Sequence, residues 1–109
     1  MAYDEGLAQR LREIFGAHSD VVEKKMFGGI AFMVSGHMCC GVVDDILMAR
    51  VGPDQYQMAL GRPHTREMNF TGKPLRGFVY VDPEGITSQE ALQTWVDLCG
   101  NFIETLPPR

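Results

Sequence analysis

Reactive side chains gather in two places along this chain. The first is His37-Met38-Cys39-Cys40, with His64 and Cys99 further on. Thiols beside an imidazole raise two chemistries, soft-metal binding and a nucleophilic thiolate with histidine as its base. Strand geometry argues against the first. Consecutive side chains of a strand point to opposite faces, so Cys39 and Cys40 are expected to diverge, and no second Cys or His pair stands at ligand spacing. No metal ligands are assigned. The second chemistry needs an accessible thiol of lowered pKa, whereas these cysteines are flanked by Met38, Gly41 and Val42. Cys99 falls on an apolar helical stripe. All three are read as small, reduced core residues. A Cys39-Cys40 bridge would be strained, because neighbouring Cα atoms lie about 3.8 Å apart and disulfides usually span roughly 4.4 to 6.8 Å.

The second place is basic. Arg62, Arg66, Lys73 and Arg76, with His64 among them, are opposed only by Glu67, a local charge of +3 with histidine neutral in a chain of net charge -4. Guanidinium groups around a Gly- and Pro-rich turn can hold phosphate or carboxylate bidentately, and Arg50, on the strand face of Met48, is a candidate to join them. The plainer reading is a solvated loop whose arginines pair with surface Asp and Glu. For Arg50 it is a stem packed on the sheet with the head reaching a carboxylate. No Gly-x-Ser-x-Gly elbow, His-Glu-x-x-His pair, Walker loop or Gly-x-Gly-x-x-Gly fingerprint occurs. Neither a cofactor nor an enzymatic activity is expected.

The elements that must carry these residues read clearly. Ile30 to Val34, Met38 to Val43 and Ile46 to Val51 alternate as three short strands, separated by Ser35-Gly36 and Asp44-Asp45, which accept hairpin turns. Gly28-Gly29, just before them, suits a bulge, a bend or close approach of another backbone. Leu7, Leu11, Ile14 and Phe15 mark an amphipathic helix over residues 3–15 closed by Gly16, and Val21 to Phe27 enters the sheet. Pro53, in the first helical position, and Gly61 bracket a short helix. Met68 and Phe70 suggest a short strand, and Gly77 to Val81 a firm one. Asp82-Pro83-Glu84-Gly85 fits a type I turn. Thr87 or Ser88 caps a last helix striped by Leu92, Trp95, Val96, Cys99, Phe102, Ile103 and Leu106.

A chain of 109 residues is sized for one domain. Its negative charge excludes an overall polyanion-coating role, and no apolar run approaches a membrane span or a signal-peptide core, so a cytoplasmic protein without membrane contact is expected. The order of elements predicts an α+β fold, an antiparallel β-meander sheet with helices packed on one face. Because the strands are apolar on both faces, a homodimer or another protein partner is expected on the face left bare. Met26, Met33, Met38 and Met48 become contact candidates if several share it.

These residues also carry a resemblance. Lys25-Met26-Phe27-Gly28-Gly29 with Phe32 following, then Arg50-Val51-Gly52, Arg62-Pro63-His64 and Gly77-Phe78-Val79-Tyr80-Val81, resemble the N-terminal domain of the TfoX/Sxy family, from about Leu7 to Leu106. The resemblance implies a secretion-chaperone-like α+β arrangement and an association with regulation of natural competence for DNA uptake. Longer relatives carry a second, helical C-terminal domain, the more obvious candidate for nucleic-acid contact. A single TfoX N-terminal-like domain over 1–109 is expected here, without it. Two roles follow: a regulatory domain working through protein contacts, or an anion or nucleic-acid binder using the Arg62 to Arg76 turn. A thiol enzyme is a third, more distant one.

Overall fold

The computed structural model describes residues 3–16, 21–26, 28–69 and 76–107. Helix α1 (Glu5–Phe15) opens the chain, with Asp4 as its cap: one carboxylate oxygen accepts from the Gly6 and Leu7 amides. Four strands follow in a meander, β1 (Val21–Met26), β2 (Gly29–Val34), β3 (His37–Val43) and β4 (Ile46–Arg50). Then come a short helix α2 (Tyr56–Leu60), β5 (Thr65–Glu67), β6 (Phe78–Val81), a 3-10 turn (Pro83–Gly85) and the long helix α3 (Gln89–Glu104). The strands form one antiparallel sheet in the order β1-β2-β3-β4-β6-β5, so the predicted α+β fold is the one observed. No helix among the described residues is long and apolar enough to cross a membrane.

Local chemistry sets most of the boundaries. Ser35 and Gly36 both take positive φ, 53° and 85°, the primed turn whose twist matches a two-residue hairpin. Asp44 at φ 51° does the same work in the next gap, as Asp can. Gly29 pairs with Met26, and a Cβ placed on it would collide with the Val42 carbonyl, so the glycine is required by the close approach of β3. Ser88, rather than Thr87, caps α3, its Oγ accepting from the Ala91 amide at 3.0 Å. The Gly85 amide closes the predicted Asp82 turn onto the Asp82 carbonyl at 2.9 Å.

Two expected boundaries move. The short middle helix starts at Tyr56, and residues 53–55 form the turn before it, so Pro53 precedes the helix. Gly61 ends it in right-handed geometry, at φ -77°, with its amide bonded back to Gln57 and Met58 carbonyls. The strand expected around Met68 lies earlier, at Thr65–Glu67, where pairing with β6 is available; Met68 itself is fully buried, and Phe70 lies outside the described residues.

All three helices pack on one face of the sheet. Leu7, Leu11 and Phe15 of α1, Tyr56 and Ala59 of α2, and Leu92, Trp95, Val96, Cys99 and Ile103 of α3 join Ile30, Phe32, Val42, Leu47, Val79 and Val81 in the main core. Phe15 stacks on Phe32 with centroids 5.4 Å apart. Arg10 fastens α1 to the start of α3, donating to the Ile86 carbonyl at 2.8 Å. Arg12 reaches across to β1 and holds both oxygens of Glu23, at 2.8 and 2.9 Å, which raises the guanidinium pKa further.

Candidate functional site

The opposite sheet face carries its own apolar cluster. Ala31, Met38, Met48 and Met68 are buried in it, and Met33, Val43, Phe78 and Tyr80 pack around them half-exposed. Register explains the set: Met33 lies opposite Met38, Gly41 opposite Met48, and Met48 opposite Tyr80, so alternation stacks them in rows across four strands. Val22, beside Met33 on β1, extends the rows and is 59% exposed. Every buried side chain of the three helices belongs to the other face. Thioethers and aromatics in the centre with arginines at the margin are the makeup of a protein contact surface.

Two of the predicted basic residues form that margin. Arg66 on β5 lies over the Tyr80 ring at 5.0 Å and pairs with Asp82 at 3.2 Å. Arg50, at the end of β4, sits between the rings of Phe78 and Phe102, 5.4 and 5.3 Å from their centroids, and donates to the Met38 carbonyl at 3.4 Å. Gly52 makes room for this: any Cβ there would enter the Phe102 ring, and its φ of 87° suits glycine. Arg62 and His64 go elsewhere. They line a notch against α3 with Glu84, Thr94 and Trp95, where the Arg62 guanidinium lies 5.3 Å from the Trp95 ring. The Arg62 Nε is buried with no hydrogen-bond partner among the described residues. His64 takes φ 60°, while its carbonyl accepts from the Asp82 amide at 2.8 Å. Arg76 is exposed at the turn into β6, near enough to Tyr56 to ease its ionisation, although burial and Glu67 together push that phenol up. Lys73 lies outside the described residues. The basic run is thus spread over the sheet margin, the notch and the β6 turn.

Of the glycine motif, Lys25 is exposed opposite Ile30, Met26 closes β1 against Gly29, and Gly28 has φ 75°. Phe27 lies outside the described residues.

The cysteines are reduced core residues as the sequence implies, but the expected divergence of Cys39 and Cys40 is corrected. Phe32 pairs with Cys40 and Met33 with Met38, so Cys39 is one residue too many on β3 and the pair forms a β-bulge. The bulge breaks the alternation on which divergence was predicted. Cys39 and Cys40 both enter the main core, and Cys99 of α3 meets them there. All three thiols are free and fully buried. The Cys40 and then the Cys99 side chain, both within hydrogen-bonding reach, and Arg50 nearby hold the Cys39 pKa well below the usual thiol range despite burial. Cys40 and Cys99 are pushed up by the same proximity to Cys39, and burial adds to the rise. Among the described residues no group of three or more His, Cys, Asp or Glu is placed to hold a metal ion. His37 is engaged outside this cluster, its Nε2–H donating to the Pro107 carbonyl at 2.7 Å.

The family model of the TfoX N-terminal domain matches residues 13–103. The chain belongs to that family. Comparison with curated proteins and with solved structures gave no match.

In this TfoX N-terminal domain the two faces of the sheet therefore present different chemistry. The helical side holds a buried thiol triad, with Cys39 alone of the three lining a groove of about 740 Å³ between α1, the β2–β3 hairpin and α3. The bare side presents methionine and aromatic surface. Neither the triad nor the inclusion of Val22, Phe78 and Tyr80 was reached from sequence. For the triad, the available signal was two adjacent small residues inside a strand, a pair able to share one face at a bulge.

Proposed function

We propose that this TfoX N-terminal domain is a non-enzymatic, cytoplasmic regulatory module that works through protein contact on its bare sheet face, with a second copy of the chain as the occupant. The observation that carries the reading is the set Val22, Met33, Val43, Phe78 and Tyr80, partly exposed around a buried methionine layer to which no helix contributes. Apolar surface of this kind is stabilised when covered. Flexible thioethers interdigitate without a preformed pocket, which suits a two-fold contact where the same patch of each copy meets the other. The family's association with competence regulation supports a regulatory task, carried out by presenting or withholding this face.

Methionine-methyl NMR tests the reading. Raising protein concentration is expected to shift the Met33 methyl resonance and leave that of Met58, exposed on α2, in place. Equal, negligible movement of both would contradict it.

The Arg62 notch supports a second reading, anion binding, because a buried guanidinium N–H without an acceptor favours one. Binding of duplex DNA or inorganic phosphate that weakens with salt and with Arg62→Ala would support it; no binding at low salt would remove it.

A further inference from the structure

Three thiols meet where β3 crosses α3, and they are not equivalent. Cys39 lines the groove, whereas Cys40 and Cys99 lie behind it in the core. The groove is lined by apolar side chains, Phe15, Val96 and Ile103 among them, and by polar ones that include the carboxylates Asp97 and Glu104. Those carboxylates disfavour anionic oxidants and leave small neutral ones as the species that enter. Cys40 is a poor disulfide partner for Cys39, being its chain neighbour. Cys99 comes from another element, beside Gly100 in the helix wall of the same groove, and lies within hydrogen-bonding reach of Cys39.

We propose that Cys39 and Cys99 form a peroxide-responsive dithiol, in which a small neutral hydroperoxide oxidises Cys39 and Cys99 resolves the product into a disulfide joining β3 to α3. In the first step the Cys39 thiolate attacks one peroxide oxygen and the O–O bond breaks. The sulfur keeps that oxygen as a sulfenic acid, and the other oxygen leaves as water after taking up a proton. In the second, the Cys99 sulfur attacks the Cys39 sulfur, the S–O bond breaks, and hydroxide leaves with the Cys99 proton as water. The sum is two thiols and one hydrogen peroxide converted into one disulfide and two waters. The lowered pKa of Cys39 supplies the attacking thiolate, and the protonated state of Cys99 preserves it as the resolving group. Because Cys39 is buried at rest, the groove wall must part for the peroxide to arrive, so the reaction is paced by local opening. The product cross-links strand to helix and closes a long loop, which tightens α3 on the sheet.

The test uses the full reduced chain in its folded state, treated with hydrogen peroxide, then alkylated in denaturant and mapped by mass spectrometry. Wild type is expected to lose two thiols per chain and yield a peptide pair joining Cys39 to Cys99. Cys99→Ser is expected to stop at a sulfenic acid on Cys39 that dimedone traps. Cys40→Ser should still yield the Cys39–Cys99 peptide pair, and Cys39→Ser, or Cys39→Ala if serine unfolds the chain, should lose thiols at least about tenfold more slowly. Retention of all three thiols by folded wild type would overturn the proposal. So would a disulfide through Cys40, or oxidation that Cys39→Ala leaves unchanged.

Discussion

Cys39 of β3 lies within hydrogen-bonding reach of Cys99 of α3, a neighbourhood created by one extra residue in β3 that turns Cys39 into the core. Its electrostatic consequence is measurable. With its pKa below the ordinary thiol value in the folded state, Cys39 contributes stability that is present above about pH 8.5 and is lost as pH falls through the folded pKa. Cys40 and Cys99, pushed up, contribute the opposite way, losing stability as pH rises beyond about 8.5. One thiolate per chain is therefore expected at neutral pH by its ultraviolet absorbance, absent in Cys39→Ser. The stability of wild type relative to Cys39→Ser should rise from acid towards about pH 8.5. Thiolate absorbance that emerges only above about pH 8.5 would show the triad to be ordinary.

Two glycine substitutions separate a packing requirement from a helix propensity. Gly29→Ala drives a methyl group into the Val42 backbone and is expected to cost at least about 2 kcal/mol, read as a lower urea midpoint at unchanged m-value. Gly100, inside α3, has open space where its Cβ would stand, so Gly100→Ala should stabilise by roughly 0.5 to 1 kcal/mol. A reversal of that order would mean that the β2–β3 approach is not as drawn.

These residues also mark what a sequence can reveal. Periodicity and turn chemistry are local, so α3, the Ser35-Gly36 hairpin and the need for a small residue near Gly29 were legible in the chain. The bulge at Cys39 was not, because it exists only in the pairing of β3 with Phe32 on another strand. The same applies to the arginines. Chain proximity grouped Arg62, Arg66 and Arg76, whereas sheet register set Arg66 over Tyr80 and the α3 packing drew Arg62 to Trp95. The placement of the helices along the chain pointed to cover on one face, and the doubly apolar strands to a second apolar face beside it. Which side chains fill the bare face depended on register, and register is a property of strand pairs.

Caps and surface pairs should also differ in weight. Ser88→Ala removes the acceptor for the Ala91 amide and is expected to cost about 1 kcal/mol in chemical denaturation. Arg12→Ala breaks a well-formed pair with Glu23, yet both partners are about a third exposed, and screening should hold the loss below about 1 kcal/mol and reduce it further with added salt. A larger, salt-insensitive loss for Arg12→Ala would mean that its stem packing between α1 and β1 dominates.

Whether the bare sheet face is a contact surface is decided most directly by sedimentation equilibrium at high micromolar concentration on wild type and Met33→Lys. Met33 is half-exposed above the methionine cluster, so a lysine there can keep its charge in water in the monomer and would bury it in a face-to-face dimer. The account predicts a wild-type dimer and a folded, monomeric Met33→Lys. A wild type that stays monomeric throughout, or a dimer that persists in Met33→Lys, would contradict it.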